Sequence, residues 1–438
     1  ATSLCQRAGR YPPSWYLLSG ATLELPRLRP ENLPGPTPSA VVGGSRAIAW
    51  LEPDRGIGDA YPPGQVVGRA LRRMAERAPP GLEEVTVVTG SRGLDGVAVS
   101  ALASEVRRAG QGRGSAPEIR QSGRLEPGAA VSASAGLPGG WRPETAPPWR
   151  FRVLPRYQQS PWESLKPVVY RFGFDLESEL EVTPGLIYSH TVRTTLRHNL
   201  DYLDASVIRA LVPHRTAVRG DLALYVAAAP VNSLEQVAVT WLAQPSHEWT
   251  TRLAAGWFEE IYGGLSGEVL YRPWRRRWAL GLEVDALQKR LPGATPFFEP
   301  HTGTVSAFAS LYYQSAGGDI DGAVHVGRYL GGDTGSTFEL GRRFDGGLRL
   351  AAWITGTTGA DRLGVEVAQH RDRFDGGLRL SLPLGLLPLV PVASRVDLEL
   401  LTLGRDSGQR AEVPLRLEPL TRASSYGAVS GSWARLLD

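Results

Sequence analysis

Lysine is nearly missing: Lys166 and Lys289 are the only two among 48 basic residues, and arginine supplies the rest. That bias reads as the mark of a GC-rich genome. No arginine-rich run is interleaved with aromatics, as a nucleic-acid groove would require, so no nucleic-acid partner is expected. Net charge is +4, small for 438 residues. Cys5 is the only cysteine, which excludes an intrachain disulfide and a cysteine-based metal site. Lipidation at Cys5 is not expected, because Leu4 is adjacent to it instead of three residues upstream. The chain starts at Ala1, its only methionine is the internal Met74 and no secretory signal is visible, so the start reads as a processed end or a cut. The most apolar stretch, Leu382 to Ala393, is short and broken by three prolines, too little for a helix to cross a bilayer.

Catalytic chemistry is sparse as well. The seven histidines are scattered, none at metal-ligand spacing with an acid partner. Gly331-Gly332 has no helix behind it, against a phosphate loop, and no Gly-x-Ser-x-Gly nucleophile turn occurs. The expectation is a protein that is not an enzyme and uses no cofactor.

Glycine (51) and proline (34) are abundant and tryptophan (12) is in excess, which suits short strands joined by turns. Residues 1–40 are rich in proline and leucine without a period and stay unassigned. Residues 41–125 read as a small α/β domain. Pro62-Pro63 starts a helix, Val66, Val67, Ala70, Leu71 and Met74 recur at helical spacing, and Pro79-Pro80 stops it. Strands at Glu84 to Thr89 and Gly96 to Ser100 and a helix around Leu102 to Ala109 follow. Residues 126–165 read as a linker.

From residue 166 the period becomes two. Tyr170, Phe172, Phe174, Leu176, Leu180 and Val182 alternate with Arg171, Gly173, Asp175, Glu177, Glu179 and Glu181, giving one apolar and one charged face. Trp278 to Asp285 and Leu348 to Thr355 repeat the pattern. A soluble antiparallel sheet with one wet face is the competing reading. Strand length and the tyrosines and tryptophans at strand ends (Tyr271, Trp274, Trp278, Tyr312, Tyr313) favour a membrane barrel, where interfaces select such girdles. The run Arg-Phe-Asp-Gly-Gly-Leu-Arg-Leu occurs at Arg343–Leu350 and again at Arg373–Leu380, and Asp-Gly is a hairpin signal. With both copies read as turns two strands apart, they share one side with the turns at Pro273–Arg276 and Ser315–Asp319. Connections Arg290–His301 and after Leu384 fall on the other. Counting on gives roughly 16 strands over residues 166–438, with the α/β domain and C-terminus on the periplasmic, short-turn side. Thr183-Pro184-Gly185 misfits, landing on the outer side.

The fold class is thus mostly β: an antiparallel transmembrane β-barrel with a small periplasmic α/β domain at its N-terminal side. Register points Asp175, Glu177, Glu179 and Glu181 inward from one strand. Arg193 and Arg197 follow on the next, with Glu283, Asp285, Glu339, Arg343, Arg349 and Arg379 further round. The four carboxylates could bind a cation, but the solvated wall of a lumen explains them better. No metal is expected. A lumen of both signs would stay hydrated and offer partners to a sugar chain.

Several stretches resemble the YjbH-like exopolysaccharide biosynthesis proteins. They are Gly267-Glu268-Val269-Leu270-Tyr271-Arg272-Pro273, the specific run Gly327 to Glu339 leading into Arg343-Phe344-Asp345-Gly346-Gly347, Phe374-Asp375-Gly376-Gly377, and Arg405-Asp406-Ser407-Gly408. Tyr61, Gly68-Arg69-Ala70 and Ala78-Pro79 resemble the family's soluble domain. The resemblance covers roughly residues 55–438. Residues 1–40 do not resemble the barrel segment that precedes this domain in longer members, and Gln369 to Arg373 replaces a glycine- and acid-rich stretch. The resemblance implies a Gram-negative outer-membrane protein of exopolysaccharide or capsule export and assembly. Its partners would be the polysaccharide chain, lipid and other export proteins. A general diffusion porin and a soluble carbohydrate-active β-sheet enzyme are the alternatives.

Overall fold

The structure is a computed structural model. It describes residues 15–17, 39–43, 45–51, 62–78, 81–134, 149–161, 168–200, 217–293, 297–344, 347–359, 374–383, 395–401 and 403–437. The chain divides into two compact units: Ala1–Ser91 with Asp95–Pro147 and Ser424–Asp438, and Pro148–Ala423 with Arg92–Leu94.

The first unit carries a six-stranded sheet in sequence order: β1 (Trp15–Leu17), β2 (Ser39–Gly43), β3 (Arg46–Leu51), β4 (Glu84–Ser91), β5 (Leu94–Leu102) and β6 (Arg124–Pro127). β3 and β4 run parallel and so need a crossover, which α1 (Pro63–Arg77) provides. Proline fits its first turn because the missing N–H had no partner there anyway. Val67, Ala70, Leu71 and Met74 are buried, as their spacing predicts. α2 (Ala103–Gly110), α3 (Ala116–Ser122) and α4 (Gly128–Ser134) follow; Ser115 caps α3 by accepting from the Glu118 N–H. The C-terminal residues belong to this unit too. Gly64 N–H donates to Ser432 Oγ at 2.8 Å, and a side chain at Gly68 would collide with the Leu436 carbonyl. Glycine stands at Gly68 because a second backbone passes there.

The second unit is a closed barrel of thirteen strands. They are β7 (Trp149–Pro161), β8 (Val168–Thr183), β9 (Leu186–His198), β10 (Asn232–Ser246), β11 (Trp249–Trp257), β12 (Tyr262–Tyr271), β13 (Trp278–Lys289), β14 (Thr304–Gln314), β15 (Ile320–Arg328), β16 (Thr334–Arg343), β17 (Arg349–Thr357), β18 (Phe374–Pro383) and β19 (Arg395–Leu401). Every sequential pair is antiparallel. With an odd number, the first and last strands point the same way. β19 accordingly closes on β7 in parallel, through Asp397↔Arg156, Leu398↔Tyr157, Glu399↔Gln158 and Leu400↔Gln159. The expectation of roughly sixteen strands is corrected to thirteen. Two stretches within the expected barrel region 166–438 are not strand: α5 (Leu222–Ala228) lies between β9 and β10, and 403–437 contains α6 (Leu417–Thr421) and no strand among its described residues. β6 ends, and α4 and β7 begin, within 126–165, the stretch read as linker.

Thirteen strands also reset the ends. Thr183-Pro184-Gly185 shares one end with the other tight turns: 247–248, 272–277, 315–319 and the Phe344–Leu348 hairpin, which the Phe344 N–H closes onto the Leu348 carbonyl at 2.8 Å. Gly185 has φ +80, and a side chain there would stand 2.5 Å from the Leu242 carbonyl, so glycine is required. Its supposed misfit came from the strand count. β18 ends at Pro383 and β19 starts at Arg395 on this end as well. The second Phe-Asp-Gly-Gly copy is not a turn: Phe374 to Gly377 opens β18 at the opposite end. Gly346 lies outside the described residues, as does Ala294 in the Arg290–His301 connection.

Alternation sets the two faces of the wall. Leu265, Leu282 and Leu340 point outward and are each more than 60% exposed. At the tight-turn end Trp249, Tyr271 and Trp278 touch in a row across three strands, with ring centroids 4.7 and 6.1 Å apart. No described helix is long and apolar enough to cross a membrane, which does not bear on strands.

Candidate functional site in the barrel lumen

Inward-facing positions of β7, β8, β9 and β10 assemble a charge network. Asp175 accepts from Arg193 at 2.7 and 3.0 Å and from Arg156 at 3.2 Å. Arg193 reaches Glu235 at 3.0 Å, and Arg171 donates to Glu260 at 2.7 Å. Arg156 continues to Glu399 on β19, which Arg379 of β18 also reaches at 2.8 Å. In the connection after β11, Glu259 accepts from Arg219 at 2.6 Å. Burial pushes the Glu259 carboxyl up to about 7; Arg219 opposes the shift and Glu412 adds to it.

A segment of the chain itself runs through this lumen. β19 ends away from the tight turns, where Asp406 accepts from the backbone N–H groups of Val218, Arg219 and Gly220 at 2.8 to 2.9 Å. Gly408 N–H donates to Asp333 at 2.8 Å. Further along, Arg416 makes a two-pronged contact to Glu283, 3.0 Å on each side, and Leu417 N–H donates to Glu268 at 3.0 Å. Arg422 then reaches Asp321 at 2.8 Å, near the tight-turn end. Ala411 and Val413 pack with Ala238, Ala254 and Phe258, and Leu415, Leu417 and Leu420 pack with Ile187, Leu242 and Leu270. Apolar wall positions are thus covered by apolar residues of the segment, and residues 403–423 plug the barrel from one end to the other.

Between plug and wall lies a cavity of about 70 Å³. Arg156, Arg171, Arg193 and Arg219 line it on one side of the charge balance and Glu235, Glu259, Glu260 and Glu412 on the other, with Leu401 and Leu403 beside them. With the adjoining Arg379, Asp175 and Glu399, five arginines meet six carboxylates. A space of that size has room for a few waters.

The inward residues expected from register divide into three groups. Asp175, Arg193 and Arg379 join the network above. Glu177 and Glu179 both hold Arg152, at 2.9 and 3.0 Å, Glu179 also pairs with Arg92, and Glu181 faces Arg150 at 3.7 Å. Glu283 ties the plug, Asp285 accepts from Ser266 and Ser306, Glu339 meets His325 at 3.4 Å, and Arg349 meets Asp321 at 2.7 Å with Arg343 opposite it. Arg197 does not face the lumen. A register shift between Phe172 and Gly173 sets Arg197 opposite outward-facing Phe172. The lumen is also less open than both-sign patterning suggests, because the plug neutralises much of its charge.

Sequence reasoning missed Arg150, Arg152 and Arg156, although they alternate with Phe151, Val153 and Tyr157 in the same period; flanking prolines made the stretch read as a linker. It missed the plug residues Arg410, Arg416 and Arg422, because the alternation of Ala411, Val413, Leu415 and Leu417 with polar residues and Pro414 is short and broken by prolines. Among the described residues no group of three or more His, Cys, Asp or Glu could hold a metal ion.

Comparison with known proteins supplies the family. The model of the YjbH family, described as "Exopolysaccharide biosynthesis protein YbjH", matches residues 60–423. The "Uncharacterized lipoprotein YjbH" of Escherichia coli (strain K12) is 26% identical over 284 residues, 62% of this chain. Those residues span 38% of that relative's length. The match takes in the α/β unit's first helix, the whole barrel and the plug, and on that ground the chain belongs to the YjbH exopolysaccharide biosynthesis family.

Proposed function

We propose that this protein resides in the outer membrane of a Gram-negative bacterium, its barrel crossing the bilayer. Its α/β unit is periplasmic, and it takes part in exporting or assembling an exopolysaccharide or capsule as a non-enzymatic component. The observation that carries the reading is the inside-out wall: large apolar side chains exposed outward, ionic pairs shielded inward. A soluble sheet loses that outward area to water at roughly 25 cal/mol per Å², whereas lipid accepts it. Family membership supplies the polysaccharide. Its partners are the polysaccharide chain, lipid and other export proteins.

A general diffusion porin fits less well, because residues 403–423 fill the lumen through specific ion pairs. Deleting the gene and measuring surface polysaccharide tests the proposal. The expected result is loss or change of the polysaccharide, restored by the intact gene. Unchanged polysaccharide, or recovery of the protein as a soluble monomer without detergent, would sink it.

A further inference from the structure

In the lumenal cluster one carboxylate differs from the rest. Asp175, Glu235, Glu259, Glu260 and Glu399 sit on the wall or its connections and meet arginines at 2.6 to 3.1 Å. Glu412 sits on the plug. Its carboxylate stands 3.7 Å from Arg156, beyond hydrogen-bond reach, and its side chain is 53% exposed although the residues around it are shielded. Its backbone N–H donates to Glu259 at 3.3 Å. A loosely held, half-exposed ion contributes little to stability, so exchanging it for another carboxylate costs little.

The exchange is also balanced. Five arginines meet five carboxylates once Glu412 is set aside, so one further carboxylate restores the present charge. A second one would be repelled. The cavity beside Glu412 is lined by Arg156, Arg193 and Arg219 together with Leu401 and Leu403, donors for a carboxylate next to apolar surface for the C–H face of a ring. We propose that Glu412 stands in for the carboxylate of an acidic, uronic-acid-type sugar, and that such a residue of the polysaccharide displaces it from the Arg156–Arg219 subsite. The inference rests on the polysaccharide role proposed above.

Purified full-length protein in detergent, titrated with oligoglucuronate and with a neutral oligoglucose, tests this. Glu412→Gln removes the competing charge without touching the wall. It should bind oligoglucuronate about tenfold more tightly than the parent. Its affinity should weaken as salt rises, as expected of ions in partial contact with water. Arg219→Gln in the Glu412→Gln background should abolish the gain while the protein still migrates as a compact barrel before heating. Equal affinity in parent and Glu412→Gln, neutral oligoglucose binding as well as the acid, or no acid binding to Glu412→Gln would each overturn the inference. A polysaccharide phenotype with no acid binding leaves the export reading standing; acid binding with no phenotype does the reverse.

Discussion

Lys289 of β13 and Asp221, the residue before α5, form an ion pair at 2.6 Å with their side chains 1% and 0% exposed. One of only two lysines in the chain therefore anchors the long β9–β10 connection to the wall. A buried pair broken on one side leaves an uncompensated charge, at about 3–5 kcal/mol. Lys289→Met should lower barrel stability by that order, read as a lower temperature for loss of the compact band on unheated gels. Lys289→Met with Asp221→Asn should recover part of it. A Lys289→Met barrel as stable as its parent would show that the pair is not integral.

The plug should control conduction. Glu283 holds Arg416 with two hydrogen bonds and also faces Arg410 at 3.6 Å. Glu283→Gln removes the charge that both arginines meet. In planar bilayers the parent should conduct poorly, and Glu283→Gln should show larger or more frequent openings. Porin-like conductance in the parent would mean that the plug does not seal the lumen.

Orientation follows from where the chain leaves the barrel. Both Trp149 and Ala423 do so at the tight-turn end. In a Cys5→Ser background, a membrane-impermeant maleimide on intact cells should label His301→Cys and spare Gly317→Cys. The reverse pattern would invert the proposed orientation.

Acid–base behaviour offers a separate check. The Glu259 carboxyl, normally near 4.5, is pushed up to about 7 by burial. The folded protein then binds more protons than the unfolded chain between those values. The stability this group contributes is present below about 4.5 and is lost as pH rises through about 7. Melting curves at pH 5 and 8 should therefore diverge less for Glu259→Gln than for the parent. Parallel losses in both would assign the pH dependence to other groups.

Period-two patterning made β8, β13 and β17 legible, because one residue in two must face each side of a wall and the residue types differ that sharply. The helical spacing of Val67, Ala70, Leu71 and Met74 made α1 legible for the same kind of reason. The strand count was not. The repeated Phe-Asp-Gly-Gly is a turn in one copy and a strand in the other, and only the neighbouring connection lengths decide which. Arg197 was misplaced by a single bulge, a local feature that shifts everything beyond it by one residue. The plug alternates only briefly, with Ala411, Val413, Leu415 and Leu417 apolar, and Pro414 and Pro419 interrupt a run too short to stand out as an element. Its partners Glu268 and Glu283 were visible only as lumenal charge, with nothing to say that Leu417 and Arg416 answer them.

The parallel closure between β7 and β19 bears on biogenesis. No hairpin can form that last pair: its partners lie at opposite ends of the barrel's sequence, and the chain that follows β19 runs inside the wall. Either the sheet curls shut around residues 403–423, or the C-terminus is fed through a finished ring. Long-range closure of this kind is slow and exposes strand edges while it waits. With four residue pairs at the seam, the early-bound plug would serve as the mandrel on which the barrel is rolled.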